Sequence, residues 1–301
     1  MSFPIFFKFI AEQKIPVIFV LHDVFYFTGH CCHYNDVMCY RWKEHCGRCP
    51  SMNDWNKSWF FDTSAKSLRD KRKWYREIHR KGVIAVSHWL EEDARESILS
   101  DAEFTTIYNW VDQKVFSYTD KRPEIYQKLG NRKTALAVAS NWDEKKGLSD
   151  VIALAKACPD IEIIMIGPVP DAVIPIPNIL PIGKVYSRKE MAEYYSSSDV
   201  FISPSIEETF GKTTAEALSC GTPVVAYRTT AFNELVDDDR GGLVPLGDLK
   251  GFIEMTREVL TKGRSYYSDA AITFAHCNFC LENNARCYLD FISRLTEDTT
   301  P

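Results

Sequence analysis

An α/β protein of two domains with parallel sheets is the fold class this sequence predicts. Three observations predict it. Short β-branched runs alternate with amphipathic stretches along most of the chain, the pattern of strands joined by crossover helices. The 301 residues suit two domains, at about 100–200 residues each. A polar, turn-rich stretch at 113–132 interrupts the alternation, which then restarts, and it reads as the domain linker.

In the first third, 3–13 reads as a helix and 15–21 as a buried strand, before a long irregular segment over 22–62. A charged helix (65–80), a strand (83–87), a helix (89–99) and a strand (104–108) follow. Beyond the linker the expected strands are 135–139, 161–166, 178–182, 200–204 and 223–227. The expected helices are 148–157, 188–196, 213–219 and 249–260. The domains are placed at 1–120 and 121–281, with 282–301 as a C-terminal helix or tail open to crossing back to the first domain.

The aromatic share of 13% and apolar share of 45% argue against disorder. A net charge of −5 disfavours a bulk nucleic-acid binder. No apolar run approaches the roughly 20 residues that a bilayer span requires. The ten cysteines accompany no stretch that reads as a secretory signal, which favours thiols, metal ligands or packed core over disulfides.

The most informative stretch is 203–226. A buried strand ends in polar residues, turns through Gly211, and leads into a helix closed at Gly221. In an open α/β sheet, ligands sit outside the carboxyl ends of the strands, where a helix N-terminus offers free N–H groups and a positive dipole. A diphosphate therefore fits over Gly211, Lys212 and Thr213. Glu208 and Glu216 flank that position and suit hydroxyl groups rather than the anion. The plainer alternative is a capped surface helix with solvated glutamates.

Glu208 and Glu216, with seven residues between them, resemble the E-x7-E signature of the retaining nucleotide-sugar glycosyltransferases of glycosyltransferase family 4. Pro204-Ser205, Phe210-Gly211 and 220–225 (Cys-Gly-Thr-Pro-Val-Val) are similar to that family's frame. The resemblance implies the GT-B fold, two facing Rossmann-like domains. It also implies a truncated first domain, because the family's opening strands and Gly-rich loop have no counterpart ahead of the strand that ends at Leu21.

By the same resemblance, Glu208 and the backbone N–H groups of Phe210, Gly211, Lys212 and Thr213 hold the donor sugar and diphosphate. Glu216 then holds the ribose. The stretch 139–147 is similar to the family's diphosphate-gripping loop. Lys146 matches its Lys, Asn141 stands where the family has Arg, and Lys145 is the candidate replacement charge. Residues 181–185 resemble the segment that reads the nucleobase, which adds Lys184 and Val185. His22-Asp23 is similar to the family's His-Asp, with His22 near the reaction centre and Asp23 as an orienting neighbour. The catalytic pair implied is His22 and Glu208.

The implied activity is retaining sugar transfer from a nucleotide-sugar donor to a glycan or lipid-linked acceptor, of the colanic-acid-like capsule or exopolysaccharide type. The implied setting is cytoplasmic, at the inner face of a membrane with peripheral contact, without nucleic-acid partners and without a cofactor for catalysis. Two alternatives stand beside it: an inactive nucleotide-sugar-binding remnant, and a GT-B-fold epimerase.

A Cys-rich insert occupies 30–50. Its Cys32, Cys39, Cys46 and Cys49 have the spacing C-x6-C-x6-C-x2-C, and His30, His33 and His45 are nearby. A structural zinc and buried reduced thiols both remain open. Cys277, Cys280 and Cys287 are expected to pack as core on one terminal helix.

Overall fold

Val17–Leu21 (β1) carries no charged residue and extends as a strand behind helix α1 (Phe3–Glu12). A computed structural model describes residues 2–53, 57 and 60–297. The chain continues through α2 (Ser64–Arg76), β2 (Lys81–Ala85), α3 (His88–Arg95) and β3 (Glu103–Thr106). These strands pair in parallel in the order β1-β2-β3.

The rest of the chain alternates as the sequence predicts. Its first part holds α4 (Glu124–Leu129), β4 (Lys133–Val138), α5 (Leu148–Ala157), β5 (Ile161–Ile166) and β6 (Ile179–Gly183). Then come α6 (Arg188–Ser197), β7 (Val200–Ser203), α7 (Lys212–Ser219), β8 (Val224–Arg228) and α8 (Phe232–Leu235). The last elements are β9 (Gly241–Pro245), α9 (Leu249–Lys262), α10 (Arg264–Asn278) and α11 (Leu281–Thr296). Two compact units result, Met1–Tyr108 with Glu282–Pro301, and Asn109–Leu281.

The second unit is built on an all-parallel sheet in the order β6-β5-β4-β7-β8-β9. Parallel strands covered on both faces need near-continuous apolar runs, and every residue of β5 is buried. Its one charge, Glu162, is paired with Arg132. Ala137, Ile163, Ile202, Val225, Tyr227 and Phe252 belong to one core on this sheet. The strand order reverses between β4 and β7, and the crevice beyond their carboxyl ends is where a doubly wound sheet takes its ligand.

In the first unit the chain's far end supplies part of the core. Phe291 of α11 is buried in one cluster with Ile84 of β2 and Ile107. Arg80 donates to the carbonyl oxygen of Arg294 at 2.9 Å.

Three expectations need correction. The stretch 113–132 does not link the units but packs within the second. Phe116 sits edge-on to Tyr195 at 6.2 Å, the Thr119 N–H donates to Ser196 Oγ at 3.2 Å, and α4 forms inside the stretch. β9 also lies outside the expected elements, because Gly241, Gly242 and the terminal Pro245 dilute the strand signal of an edge strand. Finally, Cys277 and Cys287 are exposed on two different helices, so the cysteine trio is not core.

Candidate functional site

Two loops flank the point where the strand order reverses: 139–147 after β4 and 204–211 after β7. In the first, Asp143 accepts the Lys146 N–H at 3.1 Å and starts a 3-10 turn over Glu144–Lys146. Gly147 follows with φ +70°, and a Cβ there would lie 2.3 Å from the Pro204 carbonyl oxygen. Only glycine allows this conformation and this approach together. The Ile206 N–H donates to the Lys145 carbonyl at 3.0 Å and ties the loops main chain to main chain.

The outcome is an ion pair between the Lys146 ammonium and the Glu208 carboxylate. The Glu208 N–H donates to Thr230 Oγ1 at 3.0 Å. Thr230 itself sits in the left-handed region at φ +43°, a costly conformation for a β-branched residue that neighbouring contacts must hold.

The chain enters α7 through Gly211, in the left-handed conformation at φ +81° and without a side-chain cap. Phe210 is buried and anchors the turn edge-on to Phe279 at 5.5 Å. Lys212 is exposed and Thr213 half-buried on the first turn. Thr214 is fully buried, and its hydroxyl has no hydrogen-bond partner among the described residues.

Glu216 lies about one turn further along, buried. Its Oε2 accepts from the Tyr195 hydroxyl at 3.1 Å, while Oε1 makes no hydrogen bond among the described residues. Burial pushes the Glu216 carboxyl up from its ordinary range. The positive charges of Lys212 and Arg188 and the Tyr195 bond act in the other direction.

The remaining predicted residues are more scattered. Asn141 is exposed and donates to Asp143 at 3.3 Å, so its amide stiffens the loop. Lys184 is exposed and Val185 half-buried, following β6 at the edge of the sheet. His22, in the first unit, is exposed at the carboxyl end of β1. Asp23 Oδ1 accepts the Phe25 N–H at 2.7 Å, and no hydrogen bond joins Asp23 to His22 among the described residues. Sequence reasoning missed Asp143, Tyr195 and Thr230. Asp143 had a readable signal, since Asp is a preferred capping residue; the other two act across elements.

In the Cys-rich insert, Cys31, Cys39, Cys46 and Cys49 line one small cavity with His30 and Trp42. Cys31 thus stands where the spacing pointed to Cys32. The five cysteines of the insert are thiols rather than disulfides, and burial pushes the Cys31 thiol up to about 12. Among the described residues no group of three or more His, Cys, Asp or Glu is arranged to hold a metal ion. The turn at 47–48 is held by Arg41, which donates to both carbonyl oxygens at 2.8 Å.

A lysine, an uncapped helix start and two carboxylates of different burial gather on the second unit. That set can take an anionic ligand that also carries hydroxyl groups.

Comparison with known proteins agrees with this chemistry. N-acetyl-alpha-D-glucosaminyl L-malate synthase of Bacillus anthracis is 26% identical over 193 residues, 59% of this chain and 50% of that protein. The putative colanic acid biosynthesis glycosyl transferase WcaC of Escherichia coli K12 is 21% identical over 248 residues, 82% of this chain and 60% of that protein. The chain spans about half the length of the curated relatives it matches. Anabaena Alr3699/HepE, solved with UDP and glucose, aligns with a TM-score of 0.69 over 97% of this chain and 75% of that one, at 17% identity. A glycosyltransferase from Rickettsia africae ESF-5 aligns at a TM-score of 0.66 over 76% of this chain and 68% of that one, at 21% identity. These likenesses establish the GT-B fold class. No helix among the described residues is long and apolar enough to cross a membrane. The family described as Glycosyl transferases group 1 matches residues 132–262, the segment that carries Lys146, Glu208 and Glu216.

Proposed function

We propose that the protein moves a sugar from a nucleotide-sugar donor to a glycan or lipid-linked acceptor, with retention at the anomeric carbon, in bacterial capsule or exopolysaccharide assembly at the cytoplasmic face of a membrane. The observation that carries this reading is the Lys146–Glu208 pair at the reversal of strand order, beside a glycine-started helix that buries Glu216. The group 1 match supports it, as does the UDP in the related HepE structure.

In this reading the diphosphate displaces Glu208 from Lys146 and lies over the N–H groups of Phe210, Gly211, Lys212 and Thr213. Glu208, released, accepts from a sugar hydroxyl, and Glu216 accepts from the ribose. Lys184 and Val185 border the base, and Asn141 and Lys145 border the diphosphate loop. As the bond from the anomeric carbon to the phosphate oxygen breaks, negative charge grows on that oxygen. Lys146 and the start of α7 meet it, with no divalent metal required. The acceptor hydroxyl forms the new bond on the same face and gives its proton to the departing phosphate oxygen.

Incubation with UDP-, GDP- and TDP-sugars, measuring both binding and nucleoside diphosphate release, tests the reading. Release with sugar carried to an acceptor in unchanged anomeric configuration supports it. Binding without release points to a nucleotide-sugar-binding remnant. Free nucleotide with an epimerised sugar points to an epimerase. Glu216→Ala is expected to weaken nucleotide binding by about 1–3 kcal/mol through the lost ribose hydrogen bond. Titration calorimetry giving the native affinity removes that role from Glu216.

A further inference from the structure

We propose that Tyr195 is the positioning residue of the donor site, its buried hydroxyl holding Glu216 by Oε2 so that Oε1 is presented to the nucleotide's ribose. The proposal rests on the donor reading above and adds the group on which its aim depends.

Tyr195 is fully buried, and its ring is fixed edge-on between Phe116 at 6.2 Å and Phe201 at 5.7 Å. Its own carbonyl accepts the Thr222 hydroxyl at 2.6 Å, just past the end of α7. Arg264 donates to carbonyls on both sides of the same seam, those of Ser196 and Gly221. The end of α6 and the length of α7 are therefore locked together, and the phenol cannot drift relative to the carboxylate. A site carboxylate is useful only when its rotamer is fixed by such outside support. With one oxygen committed to Tyr195, the other has a defined direction.

The bond also governs protonation. Glu216 is buried, which favours its neutral form, and it is acted on by Lys212 from α7, by Cys220 just past the end of α7, and by Arg188 and Tyr195 from α6. The two cations and the phenol favour the carboxylate, and Cys220 adds no positive charge. Removing the phenol hydroxyl leaves fewer groups to oppose desolvation, so Glu216 takes a proton at higher pH than in the native chain. A protonated Glu216 holds the ribose less well, so affinity falls on acidification.

The test is Tyr195→Phe, which keeps the ring packing, alongside Glu216→Ala and the double variant. Each is titrated with whichever of UDP or GDP the native chain binds more tightly. Tyr195→Phe is expected to bind about three- to thirtyfold more weakly, and its loss on acidification is expected to begin at higher pH than in the native chain. In the Glu216→Ala background the Tyr change adds no further loss, because a group that acts only through Glu216 has nothing left to act on. Native affinity for Tyr195→Phe at every pH overturns the proposal, as does a full additive loss in the double variant. If Glu216→Ala itself binds as the native chain does, the donor reading fails first. Thermal melts of the three variants show whether each has kept its fold.

Discussion

In the proposed sugar transfer, Lys146→Ala is expected to lower kcat by about a hundred- to a thousandfold, a loss of roughly 2.7–4 kcal/mol in the transition state. The size follows from where the ammonium sits. It is partly buried at the carboxyl end of β4 and already holds one carboxylate, that of Glu208. Two unit charges about 4 Å apart interact by about 4 kcal/mol at an effective dielectric near 20. A leaving diphosphate gains negative charge as its bond to the sugar breaks, so the interaction strengthens between ground state and transition state. That difference enters kcat rather than KM. The measurement is steady-state nucleotide release across donor concentrations. A Lys146→Ala enzyme with native kcat and only a raised KM would make the lysine a ground-state anchor and nothing more. Lys146→Arg, which keeps the charge on a bulkier head, is expected to fall between the two.

Gly147→Val is expected to cost roughly 2–4 kcal/mol of stability. Two penalties combine. A β-branched residue is forced into the left-handed region, and its Cβ meets the Pro204 carbonyl oxygen, which is backbone and cannot swing away as a side chain can. Relief requires the 139–147 and 204–211 loops to part, which breaks the bond from Ile206 to the Lys145 carbonyl and separates Lys146 from Glu208. Stability and nucleotide affinity should therefore fall together. Chemical denaturation followed beside UDP binding checks this, and a variant that unfolds at the native denaturant midpoint would show that the loops have room the close approach denies. Gly147→Ala, free of β-branching, is expected to lose less.

Much of this site could be read in the chain because its parts are local. Glu208, Gly211 and Glu216 lie within one strand–turn–helix passage, and Lys146 lies just before a helix-starting glycine. Spacing along a single element is what sequence patterns record. The phenol of Tyr195 meets Glu216 from another helix, and Thr230 supports Glu208 from beyond β8, so neither has a spacing to find. The same limit explains the errors. The polar stretch 113–132 looks like a tether until Phe116 finds Tyr195. The Cys277–Cys287 trio looks like core until a break between α10 and α11 turns two of its thiols outward. Asp23, adjacent to His22, closes a local turn by accepting the Phe25 N–H.

The core shared by Phe291, Ile84 and Ile107 constrains how the molecule can be made. When Tyr108 has left the ribosome, the three strands of the first unit are out but not the helix that completes their core. The intervening 173 residues, Asn109 to Leu281, emerge and can mature first. The first unit's core is thus completed only after the second unit has been made, and a fragment cut at Tyr108 should be prone to aggregate unless a peptide spanning 282–297 is supplied in trans.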